Sequence, residues 1–180
     1  KLQQCLDMNL MDHLEAIEKV GEVAGKEYML ETALQGMYKE WEGVELEILD
    51  YRETGTYILR GSEEMIQLID DQITMTQAIS FSPFKGVVEK EIDEWDDKLN
   101  IVSEVIDEWL ACQRNWQYLE PIFGSDDIMK QMPAEGKKFK IVDGHWRDIM
   151  LKVTEVPGCI QVSKVDRILE RFQEANALLD

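Results

Sequence analysis

The stretch "EWDDKLNIVSEVIDEWLACQRNW", residues 94–116, sets Trp95, Trp109 and Trp116 on one seven-residue grid, with Val102 at the step between them. Such a line is either an exposed aromatic strip that grips a ligand or a seam buried against other helices. Extending the grid gives Val88, Ile92, Trp95, Leu99, Val102, Ile106, Trp109, Gln113 and Trp116, alternating steps of four and three. That alternation marks the inward face of a helix. Ile101, Val105 and Leu110 widen the apolar face beyond a two-stranded seam, toward a helix buried among several neighbours. A stacking platform for bases would carry Arg and Lys between its aromatics. Here the interleaved residues include Asp93, Glu94, Asp96, Asp97, Glu104, Asp107 and Glu108, so the tryptophans read as rigid core anchors.

The same acidity runs through the whole chain. Among 180 residues, 37 Asp and Glu face 19 Lys and Arg, a formal net charge of -18, while 44% of residues are hydrophobic. A chain with that much to bury folds, and one with that surface repels phosphates and lacks a basic stripe. Nucleic acid and anionic membrane are poor partners for it. No apolar run approaches the ~20 residues of a membrane span, and "KLQQCLDMNL" has no signal-peptide pattern. A start at Lys inside helix-like pattern suggests a piece of a longer polypeptide. Cys5, Cys112 and Cys159 are odd in number and lack CxxC spacing, which argues against a disulfide framework or zinc site and fits a reducing compartment.

Periodicity predicts a mainly α fold: an elongated array or bundle of five or six helices with one β-hairpin. Residues 1–43 read as a helix or helix pair, with Leu10, Leu14, Ile17, Ala24 and Tyr28 on one stripe and a possible break at Gly21 and Gly25. Over 44–60 the period changes to two, and the turn "RETG" at residues 52–55 separates two strand candidates. From 62 to 180 a helical array follows, and the whole of 1–180 reads as a single section. Ser62 is a cap candidate for a helix to Ser80 whose face is Met65, Ile66, Ile69, Ile73 and Thr76. Ser82 and Pro83 then open a helix to about Leu119, ~36 residues and ~54 Å long. After a short segment "SDDIMKQM", a helix from Pro133 to Thr154 carries Phe139, Val142, Trp146 and Ile149, and "VPG" stops it. The last helix is expected from about Ser163, with Val165, Ile168, Phe172, Ala175 and Leu179 facing inward.

Catalytic signatures are weak. "GEVAGK" (Gly21 to Lys26) is one residue short of a phosphate loop between its glycines and has Glu27 where Ser or Thr would hold magnesium. Leu10 and Val142 stand three residues before His13 and His145, so no Glu-x-x-His pair builds a di-metal bundle. The Asp70–Asp71, Asp96–Asp97 and Asp126–Asp127 pairs lack the Gly and terminal Glu of a calcium loop. No catalytic, cofactor or metal residue is assigned. An elongated acidic interaction module is as far as the pattern reaches, and a stand-alone adaptor or an enzyme using a carboxylate cluster stays open.

The blocks "WEGVELEILDYRETGTYILRG", "SPFKGVVEKEIDEWDDKLN", "QRNWQYLEPIFGSDDI" and "VDGHWRDIM" go further. They resemble the linker region of dynein heavy chains (N-terminal region 2), and the wording is most like an axonemal inner-arm heavy chain. The resemblance implies a mechanical lever in an ATP-driven microtubule motor of cilia or flagella, within the cytoskeleton. Its partner would be the AAA+ ring of the same heavy chain. Other arm subunits and microtubules would be reached only through the full protein. It implies no enzyme activity and no cofactor in these residues, since ATP and magnesium belong to the ring further along. The hairpin would be the element that meets the ring, with Tyr51, Arg52, Glu53, Thr54 and Tyr57 as tip and flanks; Trp95, Trp109, Trp116 and Trp146 would anchor the core.

Overall fold

The computed structural model describes residues 3–4, 8–61 and 63–179. Cys5, Leu6 and the Ser62 cap expected from the sequence lie outside them. A 3-10 turn, Leu10–His13, leads into α1, Leu14–Trp41. This is one continuous helix of 28 residues, not a pair. A Cβ added at Gly21 or Gly25 would meet nothing within 4 Å, so no packed neighbour bends the helix there. Burial on α1 begins only at Leu34, followed by Met37 and Trp41. Leu14, Ile17 and Tyr28, expected on the covered stripe, are about half or more exposed.

The hairpin is shorter than 44–60: β1 is Ile48–Asp50 and β2 is Tyr57–Leu59, antiparallel, with Leu49 opposite Ile58. Val44 and Leu46 leave it for another partner. The Leu46 N–H donates to the Pro157 carbonyl at 2.8 Å, and the Cys159 N–H donates to the Val44 carbonyl at 2.9 Å. The "VPG" that ends one helix therefore also lends its backbone to the strand before the hairpin.

Helix α2, Glu63–Ser80, buries Ile69, Gln72, Thr76 and Ile79. Its inward line is rotated from the expected one, and Ile66 faces solvent. Two polar residues can occupy that line because both are bonded: Gln72 Nε2 donates to Glu40 Oε2 at 2.6 Å and Thr76 Oγ1 to the Gln72 carbonyl at 2.7 Å.

Helix α3, Glu89–Phe123, is the backbone of the molecule, 35 residues or ~52 Å at 1.5 Å per residue. It starts later than Pro83 because Ser82 caps a turn instead, accepting from the Phe84 N–H, and a 3-10 segment Lys85–Val87 intervenes. It runs past Pro121, which stands in the last turn and interrupts little. Every residue of the tryptophan grid from Val88 to Trp116 is buried, Trp109 and Trp116 completely. Val105 is buried as well, but Ile101 is exposed; the apolar face widens on one side only.

Then come α4, Asp126–Gln131, and α5, Pro133–Glu155, with Pro133 in its first turn. A 3-10 segment, Cys159–Lys164, precedes α6, Ile168–Leu179. The last helix thus begins five residues beyond Ser163, whose hydroxyl donates to the Ile160 carbonyl at 2.9 Å. Val165 is extended and Arg167 has φ +49°, so the chain turns before it coils. Helices α2, α5 and α6 surround the middle of α3, and α1 touches the array by its C-terminal turns. The exposed surface is 11722 Å². A compact protein of this mass would expose roughly 9,000 Å², so the array is drawn out, with the first three turns of α1 standing clear of it before Lys26 meets Phe84.

Two predictions follow from the burial. Trp109→Ala, at the centre of α3, is expected to cost about 3 to 5 kcal/mol of unfolding free energy in a denaturant titration; a loss under about 0.5 kcal/mol is what a surface position gives. Burial pushes the Cys112 thiol up to about 12, helped by Glu108, and burial alone pushes Cys159 to about 12. The folded state therefore holds these protons more tightly than the unfolded chain, and the stability they contribute is present below about pH 9 and lost as pH rises toward 12. The slope is about 1.4 kcal/mol per pH unit per thiol. Chemical denaturation from pH 8 to 11 should show a shallower loss in Cys112→Ala/Cys159→Ala.

Candidate functional site

The hairpin does not stand free. Asp50 pairs with Tyr57, the Tyr51 N–H donates to the Thr56 carbonyl at 2.9 Å, and residues 52–55 form the turn. Arg52 has φ +50° and Gly55 φ +70°. At Gly55 any other residue would be strained by the backbone alone, since there is open space around it. The Thr54 hydroxyl and its N–H both donate to the Tyr51 carbonyl and tighten the turn.

The two faces of that turn differ. Arg52 and Glu53 are exposed, while Tyr51 and Thr56 are buried and Thr54 and Tyr57 half-buried. Tyr51, expected at an accessible tip, instead packs edge-on against Trp116 with centroids 5.1 Å apart, because its aromatic ring has an apolar wall to cover. The Arg52 guanidinium also lies over the Tyr51 ring, 4.9 Å from its centroid. Arg52 and Glu53 are thus the exposed charges of the tip.

Two side chains, one from α3 and one from α5, occupy the outer edge of β2, and a third from α5 holds the turn. Gln113 acts as a third strand: its Oε1 accepts from the Leu59 N–H and its Nε2 donates to the Leu59 carbonyl, both at 2.8 Å. Trp146 Nε1 donates to the Tyr57 carbonyl at 3.2 Å, and Arg147 Nη1 to the Thr54 carbonyl at 2.8 Å. Asp143 holds the guanidinium from behind, Oδ2 accepting from Arg147 Nε at 2.9 Å, while Oδ1 accepts from Trp116 Nε1 at 3.0 Å. Trp116 and Trp146 stack with centroids 5.0 Å apart. Trp116 and Trp146 so meet the hairpin directly, whereas Trp95 lies near the other end of α3, edge-on to Tyr38 and Trp41. Sequence reading missed Gln113 and Arg147 as hairpin ligands; the polar Gln at an inward grid position was the available signal.

Elsewhere, a cleft of about 400 Å³ between α1, α3 and the Cys159–Lys164 segment is lined by Tyr38, Trp41, Trp95, Lys98 and Lys164. Its one thiol, Cys159, is fully buried and held protonated. "GEVAGK" lies mid-helix, where Lys26 pairs with Glu22 at 2.6 Å. Asp71 accepts from Gln67 and Asp96 from Asn100, and among the described residues no group of three or more His, Cys, Asp or Glu side chains could hold a metal ion. Among them, too, no helix is long and apolar enough to cross a membrane.

Family comparison agrees with the resemblance read from the sequence. The family model described as "Dynein heavy chain, N-terminal region 2" matches residues 1–180. The chain belongs to the dynein heavy chain family. It is 49% identical over 177 residues to dynein axonemal heavy chain 1 of Mus musculus, covering 98% of this chain and 4% of that protein. To dynein axonemal heavy chain 12 of Homo sapiens it is 44% identical over 179 residues, covering 99% and 6%. Dynein axonemal heavy chain 3 of Homo sapiens is 38% identical over 179 residues, covering 99% and 4%. The chain therefore spans a small part of the dynein heavy chains it matches, and its axonemal character is carried by these relatives.

Gln113→Ala would strip Leu59 of both backbone partners in a buried place, and is expected to cost about 2 to 4 kcal/mol. Gln113→Glu keeps the acceptor but loses the donor and buries a charge, so it should cost at least as much. Urea unfolding of both variants checks this; a near-neutral Glu variant would mean that the β2 edge is not held there.

Proposed function

We propose that this chain is a section of the linker of an axonemal dynein heavy chain, a lever that carries conformational change of the ATPase ring into a power stroke on microtubules. In this reading the section performs no catalysis, and ATP and magnesium act in the AAA+ ring elsewhere in the same heavy chain. Other arm subunits and microtubules engage the rest of the protein, in cilia or flagella.

The observation that supports it best is mechanical. A ~52 Å helix packed along its inward face by three others resists bending, and a hairpin held by four hydrogen bonds, two from α3 and two from α5, presents Arg52 and Glu53 at a fixed place. A lever needs that combination: stiffness along its length and a defined contact point. That every relative named above is a heavy chain many times longer favours a part in a machine over a stand-alone adaptor.

In the bent linker the tip meets the ring, so its charges favour one conformation over the other and shift their populations. Exposed charges contribute under about 1 kcal/mol to a fold. Replacing Arg52 and Glu53 together by Ala should leave the thermal midpoint of this chain nearly unchanged and alter ATP-dependent microtubule gliding by the complete heavy chain. A large loss of stability, or unaltered gliding, defeats the reading.

A further inference from the structure

We propose that Arg147 is the positioning residue of the hairpin tip, fixing the direction in which Arg52 and Glu53 are presented; the proposal rests on the reading of the tip as the contact with the ring. In sequence, Asp143 and Arg147 look like an ordinary i,i+4 pair on a helix surface, worth little. The structure gives the pair a second task. While Nε of Arg147 is held by Asp143, Nη1 reaches a carbonyl 93 residues away in sequence, that of Thr54, in the middle of the turn.

The contacts close on themselves. Thr54 is held by Arg147, Arg147 by Asp143, and Asp143 accepts from Trp116. Trp116 packs on Tyr51, and the Tyr51 ring carries the Arg52 guanidinium. Apart from Arg147, Thr54 is held among the described residues by its own bonds onto the Tyr51 carbonyl, and the turn keeps Arg52 in a left-handed conformation that non-glycine residues rarely adopt. Without Arg147, the Thr54 carbonyl turns to water and the tip samples other directions. A tip ordered in advance loses less conformational freedom on meeting its partner than a mobile one, so Arg147 acts on the contact without touching the partner. The planar fork matters: one ammonium on a flexible stem cannot bond to Asp143 and Thr54 with the same geometry, so Lys is a poor substitute.

Amide hydrogen exchange, read by NMR on this chain, separates positioning from general stability. In Arg147→Ala the amides of Tyr51 and Thr54 should exchange about tenfold faster, the loss expected of one charge-assisted hydrogen bond. The Leu59 amide, held by Gln113, should stay unchanged. Arg147→Lys should show most of the same local effect, and it decides the matter if the Ala variant does not fold. Equal acceleration at Leu59 would mean a purely structural role, and unchanged exchange at Tyr51 and Thr54 would mean no role at the tip; either overturns the proposal. In the complete heavy chain, Arg147→Ala should alter ATP-dependent gliding in the same direction as Arg52→Ala/Glu53→Ala. Unaltered gliding in the double variant defeats the ring-contact reading itself, whereas altered gliding there with unaltered gliding in Arg147→Ala defeats only the positioning role.

Discussion

One column of aromatic rings joins the parts of this molecule. Tyr51 of the hairpin meets Trp116 of α3, Trp116 stacks on Trp146 of α5, Trp146 leans on Phe172 of α6, and Phe172 stacks on Trp109 of α3. Each contact adds about 0.5 to 1.5 kcal/mol beyond the apolar area that it buries. The column also sorts its polar ends. Trp116 and Trp146 spend their indole N–H groups on Asp143 and the Tyr57 carbonyl, but the buried Trp109 N–H has no partner among the described residues. Trp109 is therefore held by packing alone, at the point where α3 and α6 press together.

What could be read from sequence was what depends on neighbours three and four residues away. The tryptophan grid identified the inward face of α3 position by position, and "RETG" located the turn at residues 52–55. The family resemblance likewise stood on contiguous blocks of residues. What could not be read depends on residues brought together from far along the chain. Leu46 pairs with Pro157, Gln113 takes the place of a strand beside Leu59, and Arg147 reaches Thr54. None of these has a local period. The late start of α6 belongs to the same class, since Val165 to Arg167 look helical in composition and are turned by the packing of the 3-10 segment before them. Tyr51 shows the same limit at the candidate site: a polar tip was legible, but not that one flank would be drawn under it by Trp116.

Charge and fold are nearly independent here. Many ion pairs are one-turn contacts on exposed helix faces, such as Glu22 with Lys26, Lys85 with Glu89 and Lys90 with Glu94. Pairs of that kind contribute a few tenths of a kcal/mol each. Asp148 is a tie between elements, where Lys152 and Arg171 hold its carboxyl below the usual carboxylate range and so bind α5 to α6. The excess of acid does its work in solution, keeping a surface that includes the bare apolar stripe of α1 dispersed by mutual repulsion.

The edges of the two-stranded sheet have unequal fates. On β2 the Tyr57 carbonyl is taken by Trp146 and both outward groups of Leu59 by Gln113, which blocks the addition of a strand there. On β1 the outward groups belong to Ile48 and Asp50, and the sequence on that side runs Glu45, Glu47, Asp50. A short edge studded with carboxylates discourages the strand-to-strand stacking that turns exposed sheets into aggregates. The hairpin is thereby kept from pairing edge to edge with copies of itself, while Arg52 and Glu53 stay exposed at its turn.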